Sequence, residues 1–305
     1  MKTTKALRVL MAGGDARQVY AAHCLSGFSD LSVQTIGLPD AVSKTPSFQT
    51  AETLAQIQPF DVLILPVPAS TDGKTVCRVS EEETEPILLE DLAKYGKPDG
   101  LVLAGQCDDA VRTCFLSAGF EVIDYFQREA LALANAIPTA EGAIQIAMEK
   151  MPITLHGANV FVLGYGRIGM ALLPRLQGLN ANVMVGARRL ETRTLAEMQG
   201  ADTTALDSAA LKQILPNADL IINTIPAKIL TADILAYTSP EVRIIDLASR
   251  PGGTDFAAAE RLGRNTVWAL ALPGKVAPKT AGKIIADTIR QILEERRMCG
   301  VRSDK

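Results

Sequence analysis

Few residues of the kinds that bind metals or attack substrates covalently occur in this sequence. Only two histidines, His23 and His156, occur in 305 residues, which excludes a histidine-rich metal site, and we expect no bound metal. The five cysteines include no C-x-x-C pair, a pattern typical of reduced, mostly buried thiols in a cytoplasm. A G-x-S-x-G motif is also missing, so serine-based hydrolysis is not indicated.

Long apolar runs and an excess of basic residues are missing as well. No apolar stretch approaches the roughly 18 residues needed to span a bilayer, and the first residues lack the apolar core of a signal peptide. A net charge of −3 argues against general nucleic-acid binding. We therefore expect a cytoplasmic, globular, enzyme-like protein with no nucleic-acid or membrane partner, and 305 residues suffice for two domains.

The strongest motif lies within residues 159–189. Val160 to Leu163 form a short apolar run typical of a buried parallel strand. Three glycines follow at G-x-G-x-x-G spacing, which permits a tight turn, close approach of a pyrophosphate and close packing of the next helix. The candidate cofactor-binding residues of this turn are Gly164, Gly166, Arg167, Ile168 and Gly169. A purely structural glycine turn is the alternative.

The end of the next predicted strand indicates which dinucleotide binds. NAD sites usually place Asp or Glu there to bind the ribose 2′-hydroxyl, whereas this sequence continues as Gly186, Ala187, Arg188 and Arg189. Two guanidinium groups suit a 2′-phosphate because they form charged, forked hydrogen bonds. The sequence therefore predicts NADP(H) as the cofactor, with a solvated arginine pair on a surface turn as the alternative.

The alternation of strand and helix patterns predicts an α/β protein with two doubly wound parallel-sheet, Rossmann-like domains flanking a cleft. Residues 1–138 are predicted to form a substrate-side domain with five strands, and residues 139–282 an NADP-binding domain. Residues 283–305 are predicted to form a helix that packs back on the first domain. Thr139, after Pro138, is predicted to cap the start of the helix that leads into the second domain.

The first domain offers a glycine turn and a polar loop as anion sites. Arg17 follows Gly13 and Gly14 but replaces the third glycine, so the turn suits a small anion rather than a second dinucleotide. A position on a helix surface is the alternative for Arg17. Ser70 lies at the carboxyl end of a predicted strand, where ligands bind in open α/β sheets, although such hydroxyls often cap turns. The acidic run at residues 81–85 is interpreted as a solvated face without a function.

Further candidates follow the strands of the second domain. Polar turns at strand ends should border the cofactor, and the residues concerned are Thr224, Ile225, Pro226, Pro273 and Gly274. Arg250 is a candidate clamp for a substrate carboxylate, with a structural arginine as the alternative. The full set of candidate substrate-binding residues is Arg17, Ser70, Thr139, Ser249, Arg250 and Lys275.

Two residues are candidates for the catalytic base. Glu141 lies in the first turn of the predicted helix that starts at Thr139, and His156 precedes the nucleotide-binding strand. Stabilisation of the helix dipole is the alternative role for Glu141, and a structural capping role is the alternative for His156. A water molecule is the third candidate for the base.

Several stretches together resemble one family, the A subunit of dipicolinate synthase from endospore-forming bacteria. The resemblance rests on residues 13–18, 135–142, 156–157, 164–169, 185–188, 223–226, 246–256 and 272–282. It implies NADP-linked oxidation of a dihydrodipicolinate-level intermediate from the lysine pathway to pyridine-2,6-dicarboxylate during sporulation. It also implies a cyclic dicarboxylate substrate, a partner in the B subunit of dipicolinate synthase and a location in the mother cell. We also expect a homo-oligomer.

Two other interpretations stay open. The plan is more distantly similar to alanine dehydrogenases and to methylene-tetrahydrofolate dehydrogenases, whose Pro-Gly-Gly-Val-Gly-Pro motif is similar to residues 273–278. An alanine or hydroxy-acid dehydrogenase needs an evident catalytic histidine or lysine, and histidine is nearly absent here. The other interpretation is a non-catalytic subunit that binds NADP while its partner performs the chemistry.

Overall fold

The computed structural model describes residues 6–39, 48–79 and 85–303, with side chains as far as Arg297. The chain divides into two compact units, Met1–Ala134 with Ala277–Lys305, and Asn135–Val276. The first unit is therefore built from both ends of the chain, and the second unit from one continuous segment. Most of the acidic run, residues 81–84, lies outside the described residues.

A parallel sheet forms the centre of the first unit. Its strands are β1 (Leu7–Ala12), β2 (Leu31–Ile36), β3 (Gln49–Ala51), β4 (Phe60–Ile64), β5 (Gly96–Ala104) and β6 (Glu121–Asp124). They lie in the order β3-β2-β1-β4-β5-β6, which is the strand order of dinucleotide-binding folds. Successive residues of β1 such as Val9, Leu10 and Met11 are buried, because helices cover both faces of the sheet.

Three helices lie between these strands along the described part of the chain: α1 (Ala16–Ser26), α2 (Leu89–Ala93) and α3 (Asp109–Ser117). The described part of the first unit has six strands where the sequence predicted five. The additional strand, β3, is a short edge strand that pairs only with β2. Gln49 and Thr50 are exposed there, so no apolar run marks the strand in the sequence.

A long helix, α4 (Glu129–Lys150), leads from the first unit into the second. The predicted helix start at Thr139 is wrong, because Pro138 lies inside α4. Proline lacks an N–H group and so removes one helical hydrogen bond without ending this helix. The Thr139 hydroxyl donates to the carbonyl of Asn135 (2.8 Å), a bond typical of a threonine in a helix interior.

The second unit repeats the same architecture. Its strands are β7 (Asn159–Leu163), β8 (Asn182–Gly186), β9 (Asp202–Thr204), β10 (Leu220–Asn223), β11 (Arg243–Asp246) and β12 (Asn265–Trp268). They are parallel and lie in the order β12-β11-β10-β7-β8-β9. Val160 and Val162 pack in one core with residues of α4, while Phe161 and Leu163 pack in another core on the opposite face. The prediction of two doubly wound parallel sheets is confirmed.

Six α-helices lie wholly within the second unit: α5 (Arg167–Gly178), α6 (Leu190–Glu197), α7 (Ser208–Ile214), α8 (Ala232–Leu235), α9 (Phe256–Arg261) and α10 (Leu272–Val276). The last strand, β12, ends at Trp268. Ala271 then adopts a positive φ of 58°, which turns the chain into α10. The segment that begins with Pro273 is therefore helical rather than a loop.

The chain ends in α11 (Pro278–Ser303), which belongs to the first unit. Its residues Ile285, Ile289 and Ile292 share a core with residues of β1 and α1. Gly282 lies against α1 so closely that a Cβ atom there would be 2.5 Å from the carbonyl oxygen of Arg17. The terminal helix thus packs on the first unit and begins at Pro278, five residues before the predicted position.

Candidate functional site

The glycine turn after β7 has the geometry that its spacing predicts. Gly164 has a φ of +101°, and a Cβ atom there would be 2.3 Å from Oγ1 of Thr224. A Cβ atom on Gly169 would be 2.3 Å from the carbonyl oxygen of Gly164, so this glycine allows α5 to approach the turn. Gly166, by contrast, has no atom within 4 Å of its Cβ position. The turn is therefore closely packed at its first and third glycines and open at its second.

The open glycine begins a helix whose amides have no side-chain acceptor. Gly166 is the N-cap of α5, and no side chain caps it. Free amides and the positive end of a helix dipole attract anions. Arg167 is exposed next to Gly166, and Ile168 is half-buried against the core. Space, free amides and dipole thus coincide at Gly166, as a pyrophosphate requires.

The loop after β10 borders this turn. The Thr224 hydroxyl donates to the carbonyl of Leu163 (2.9 Å), and Ile225 would contact a Cβ atom on Gly164 at 2.9 Å. Pro226 is exposed. Because β7 pairs with β8 on one side and with β10 on the other, the two loops meet where the strand order reverses, the usual position of a bound nucleotide.

The loop after β8 carries unpaired positive charge. Arg188 and Arg189 are exposed, and neither guanidinium has a hydrogen-bond or ion-pair partner in the described part of the chain. Sequence reasoning missed a third arginine, Arg193, which donates through Nη1 to the carbonyls of Ala187 (3.0 Å) and Arg188 (3.1 Å). Its spacing of four residues from Arg189, one helical turn, was the available signal.

A buried carboxylate organises the loop after β11. Asp246 is fully buried, and its oxygens accept from the amides of Ala248 and Gly253 (both 2.9 Å) and the Thr254 hydroxyl (2.7 Å). The side-chain amide of Asn223 also donates to the carboxylate of Asp246 (3.0 Å) and to the carbonyl of Ile225 (3.1 Å). Four hydrogen bonds thus compensate the burial of one charge. The same network connects the loops after β10 and β11, which sequence reasoning did not detect.

Ser249 and Arg250 lie on the loop that Asp246 holds. Both are exposed, and the guanidinium of Arg250 lies over the ring of Trp268, 5.6 Å from its centroid. Trp268 is itself fixed, since its indole N–H donates to the carbonyl of Ala248 (2.9 Å) and its ring stacks on Phe256. Arg250 has no carboxylate partner among the residues described here. The arrangement orients a cation and leaves it available to an anion.

The remaining candidates of the second unit lie on α10 and α4. Pro273 is buried, Gly274 is half-buried and Lys275 is exposed. Glu141 is exposed in the middle of α4, and Nη2 of Arg175 donates to it (3.2 Å). The prediction that Glu141 lies in the first turn of a helix is therefore wrong.

His156 lies away from the glycine turn. It is exposed and precedes β7, whereas the turn follows β7, so the two lie at opposite edges of the sheet. Five strand residues at about 3.3 Å each separate them.

Arg17 has partners within the first unit. Its Nε and Nη2 donate to both oxygens of Asp15 at 2.8–3.1 Å, and Nη2 also donates to the carbonyl of Val67 (2.8 Å). Asp15 caps α1, so a carboxylate of the chain itself occupies the end of this helix. Arg17 is buried. The structure thus places it neither on a surface nor as an unpaired anion receptor.

The glycine turn of the first unit is covered by the chain itself. A Cβ atom on Gly13 would be 2.4 Å from Val76. Gly14 donates to the carbonyl of Cys77 (2.8 Å) and accepts from the amide of Val79 (2.9 Å). The strand order suits a nucleotide, but residues 76–79 fill the position that a phosphate would need.

Ser70 belongs to a closed polar turn. Its hydroxyl donates to Asp72 (2.9 Å) and accepts from the amide of Gly73 (2.9 Å). Hydrogen bonds from the amides of Thr75 and Lys74 hold the pKa of Asp72 well below its usual range, so Asp72 stays an acceptor. The structure therefore gives the Ser70 hydroxyl the turn-forming role that was its alternative.

The expected absences can be compared only with the described residues. There, no group of three or more His, Cys, Asp or Glu side chains is placed to hold a metal ion. None of the helices in these residues combines the length and the apolar composition that a bilayer span requires. The cysteines described are free thiols, and burial raises the pKa of Cys107 to about 11, which keeps this thiol protonated and unreactive at neutral pH.

Comparison with known proteins agrees with this geometry. A family described as the N-terminal domain of the dipicolinate synthase A subunit matches residues 8–126, and one described as "D-isomer specific 2-hydroxyacid dehydrogenase, NAD binding domain" matches residues 128–251. The dipicolinate synthase A subunit of Bacillus subtilis (strain 168) is 35% identical over 291 residues, covering 95% of this chain and 96% of the relative.

Two solved structures are also similar. The dipicolinate synthase A subunit from Bacillus halodurans has a TM-score of 0.85 at 33% identity, covering 95% of this chain and 98% of that one. The A chain of dipicolinate synthase from Bacillus subtilis has a TM-score of 0.84 at 33% identity, covering 97% of this chain and 98% of that one.

Fold and site together define an oxidoreductase of the dehydrogenase type with a domain for a nicotinamide cofactor. The sequence identity to the Bacillus subtilis A subunit extends over 95% of this chain and identifies the family within this class. The chain belongs to the family of dipicolinate synthase A subunits. The resemblance seen in the sequence is thereby confirmed.

Proposed function

We propose that this chain is an NADP-dependent oxidoreductase that converts a dihydrodipicolinate-level intermediate of the lysine pathway into pyridine-2,6-dicarboxylate during sporulation. The observation that carries the proposal is the pairing of an open glycine turn at Gly166 with two unpaired arginines at the end of the adjacent strand. The names of the similar proteins, which are dipicolinate synthase A subunits, support the product.

The residues present fit NADP(H) better than NAD(H). The open position at Gly166 admits a pyrophosphate. At the end of β8 no acid is available for a 2′-hydroxyl, and Arg188 and Arg189 suit a 2′-phosphate. Thr224, Ile225 and Pro226 border the same turn, and we assign them, with Pro273 and Gly274, to the remainder of the cofactor.

The proposed reaction removes one hydride and one proton from a ring CH–CH unit. NADP⁺, when bound, supplies the hydride acceptor, and the balance is dihydrodipicolinate plus NADP⁺ giving dipicolinate, NADPH and a proton. Aromatisation of the ring supplies the driving force, so the chain mainly has to bind and orient the substrate.

Arg250 is the residue that we assign to a ring carboxylate, with Ser249 and Lys275 as further donors. Arg250 is exposed, oriented by Trp268 and free of a carboxylate partner within the described chain. Arg17 and Ser70 receive no substrate contact in this proposal, because their polar atoms bind Asp15, Val67 and Asp72. Thr139 receives none either, because its hydroxyl bonds to the helix.

Water is the proposed acceptor of the proton. Glu141 is engaged by Arg175, and His156 lies at the opposite edge of the sheet from the glycine turn. The family name implies a second kind of subunit. We therefore propose that the chain acts with the B subunit of dipicolinate synthase, as a homo-oligomer in the cytoplasm of the mother cell.

The test is a turnover assay of the purified chain with freshly generated 4-hydroxy-tetrahydrodipicolinate, which loses water to give the dihydro compound. Reduced nicotinamide and dipicolinate are both followed, with NADP⁺ or NAD⁺ and with or without the B subunit. The proposal predicts that both products form faster with NADP⁺. No product under any condition, despite confirmed NADPH binding, would contradict it.

One observation favours a second candidate, a non-catalytic NADP-binding subunit. Neither predicted base is placed to act, since Glu141 is paired and His156 is remote. If the B subunit forms dipicolinate at the same rate whether or not this chain is present, the chain has that non-catalytic role.

A further inference from the structure

The loop between β8 and α6 is fixed by the arginine that follows it. Residues 187–189 form this loop, and Arg193 lies in the first half of α6. Nη1 of Arg193 donates to the carbonyls of Ala187 (3.0 Å) and Arg188 (3.1 Å). Within the described residues, the carbonyls of this loop accept side-chain hydrogen bonds from Arg193.

The loop needs such a support because its own side chains repel each other. Arg188 and Arg189 are adjacent cations at the start of α6, where the helix dipole disfavours positive charge. Neither has a partner in the ranges 6–39, 48–79 and 85–297 that would fix its position. Without Arg193, the loop would keep only its backbone bonds, such as Ala187 N to Thr204 O (3.1 Å).

We propose that Arg193 is a positioning residue that sets the preference for NADP(H) over NAD(H). By holding the carbonyls of Ala187 and Arg188, it keeps the two preceding guanidinium groups directed at one phosphate position. This inference rests on the proposed assignment of the loop to the 2′-phosphate. Because NADH lacks that phosphate, its binding depends little on where these guanidinium groups lie.

The chemistry of the contact suits an arginine. One nitrogen with two hydrogens serves two carbonyls, and the half-buried side chain spans the distance from the helix to the loop. A lysine is shorter and has a more strongly hydrated ammonium group. Arg193→Lys should therefore keep the function only in part, whereas Arg193→Met keeps an unbranched apolar stem and removes both hydrogen bonds.

The second unit offers a matched control in Arg264. It is also half-buried, and it donates to the carbonyl of Leu262 (3.0 Å) and to the hydroxyl of Thr238 (2.9 Å). Arg264→Met therefore removes a comparable set of hydrogen bonds beside β12, away from the loop after β8. Any general loss of stability should be shared by the two variants, and a change in cofactor preference should not.

The experiment measures the Kd of NADPH and of NADH by nucleotide fluorescence for the wild type and the three variants. We expect Arg193→Met to raise the Kd of NADPH by about tenfold, as the loss of charged hydrogen bonds predicts. The Kd of NADH should rise by less than about twofold. Arg193→Lys should give an intermediate ratio, and Arg264→Met the wild-type ratio. A wild-type ratio in both Arg193 variants would overturn the inference while the proposed function stands.

A second readout separates positioning from direct contact. Hydrogen exchange at residues 188–190 in the cofactor-free protein should be faster in Arg193→Met than in the wild type, because the loop opens more often. Unchanged exchange together with weaker NADPH binding would mean that Arg193 itself contacts the phosphate, which overturns the positioning role. A wild type that binds NADH as tightly as NADPH would contradict the proposed cofactor and this inference with it.

Discussion

Arg188 is the residue whose charge is most informative about the cofactor. It lies exposed at the end of β8, and Glu191, the acid nearest to it in sequence, follows in the first turn of α6. Sequence reasoning identified Arg188 and Arg189 because they replace an expected acid. It did not identify Arg193, because the spacing of one helical turn from Arg189 does not reveal the hydrogen bonds of Arg193 to the loop carbonyls.

We predict that Arg188→Asp weakens NADPH binding by about 10- to 100-fold, since it replaces a charge-assisted contact with repulsion. NADH binding should change little. Arg261→Asp is the matched control, because Arg261 is an exposed arginine of α9 in the same unit. Equal weakening of both nucleotides by Arg188→Asp would show that the residue does not bind a 2′-phosphate.

Arg250 carries the corresponding prediction for the substrate. Arg250→Met should lower kcat/KM for the dicarboxylate by about 10- to 100-fold, as expected for the loss of a hydrogen-bonded charge, and leave the Kd of NADPH unchanged. Steady-state kinetics and nucleotide titration check the two parts separately. If NADPH binding falls together with turnover, Arg250 is structural.

At the scale of the elements, two glycines of the G-x-G-x-x-G turn have different roles. Gly166 leaves space for the cofactor, and Gly169 allows α5 to pack closely against the turn. Gly166→Ala should fold with the stability of the wild type, because its Cβ atom meets nothing within 4 Å. It should nevertheless weaken the binding of NADPH, since the added methyl group occupies the space through which the pyrophosphate approaches the backbone. Gly169→Ala should instead lower the free energy of unfolding by about 1–3 kcal/mol, because its Cβ atom would be 2.3 Å from the carbonyl of Gly164.

Thermal unfolding and nucleotide titration of both variants check this pair. A stable Gly166→Ala variant that binds NADPH normally would contradict the assignment of the open space to a pyrophosphate. A Gly169→Ala variant as stable as the wild type would contradict the close packing of α5.

The elements also show where sequence reasoning succeeds. The buried strands were predicted because continuous apolar runs such as Val160 to Leu163 mark strands covered on both faces. The edge strands β3 and β9 were missed because their short segments are mostly polar. Thr139 was misplaced because Pro138 has the local signature of a helix start, while the packing of α4 keeps the helix continuous.

Tertiary hydrogen bonds could not be predicted at all from the sequence. Asp246 and Asn223 are 23 residues apart, and only strand pairing brings them together. The same holds for Arg17, whose contact with Val67 spans 50 residues. The position of a polar residue at the end of a strand therefore predicted a ligand site. It did not reveal whether the polar atoms of that residue already bind other groups of the chain.

At the scale of the molecule, the two ends of the chain complete the first unit. Asp30, which precedes β2, binds Arg290 of α11 (2.9 Å) and also pairs with Arg297. Hydrogen bonds from Arg297 and Arg290 hold the pKa of the Asp30 carboxyl below its usual value. Because the pKa is lowered on folding, this stabilisation is present above the unfolded pKa and is lost as pH falls through the folded one.

Asp30→Asn should therefore lower the melting temperature at pH 7 by about 2 °C, as expected for partly exposed ion pairs. The difference from the wild type should shrink as the pH falls below about 4, where the carboxyl of the unfolded chain is protonated. Thermal unfolding between pH 7 and pH 3 measures both effects. A difference that stays constant with pH would show that the charge of Asp30 does not stabilise α11.

The transfer of the hydride from the substrate to the nicotinamide can be followed with an isotope. Dihydrodipicolinate carrying deuterium on its saturated ring carbons is incubated with the protein, NADP⁺ and the B subunit. The reduced nicotinamide is then examined by NMR. We expect one NADPH per dipicolinate, with deuterium at C4 of the nicotinamide. Dipicolinate formed without NADPH, or NADPH without deuterium, would contradict this transfer.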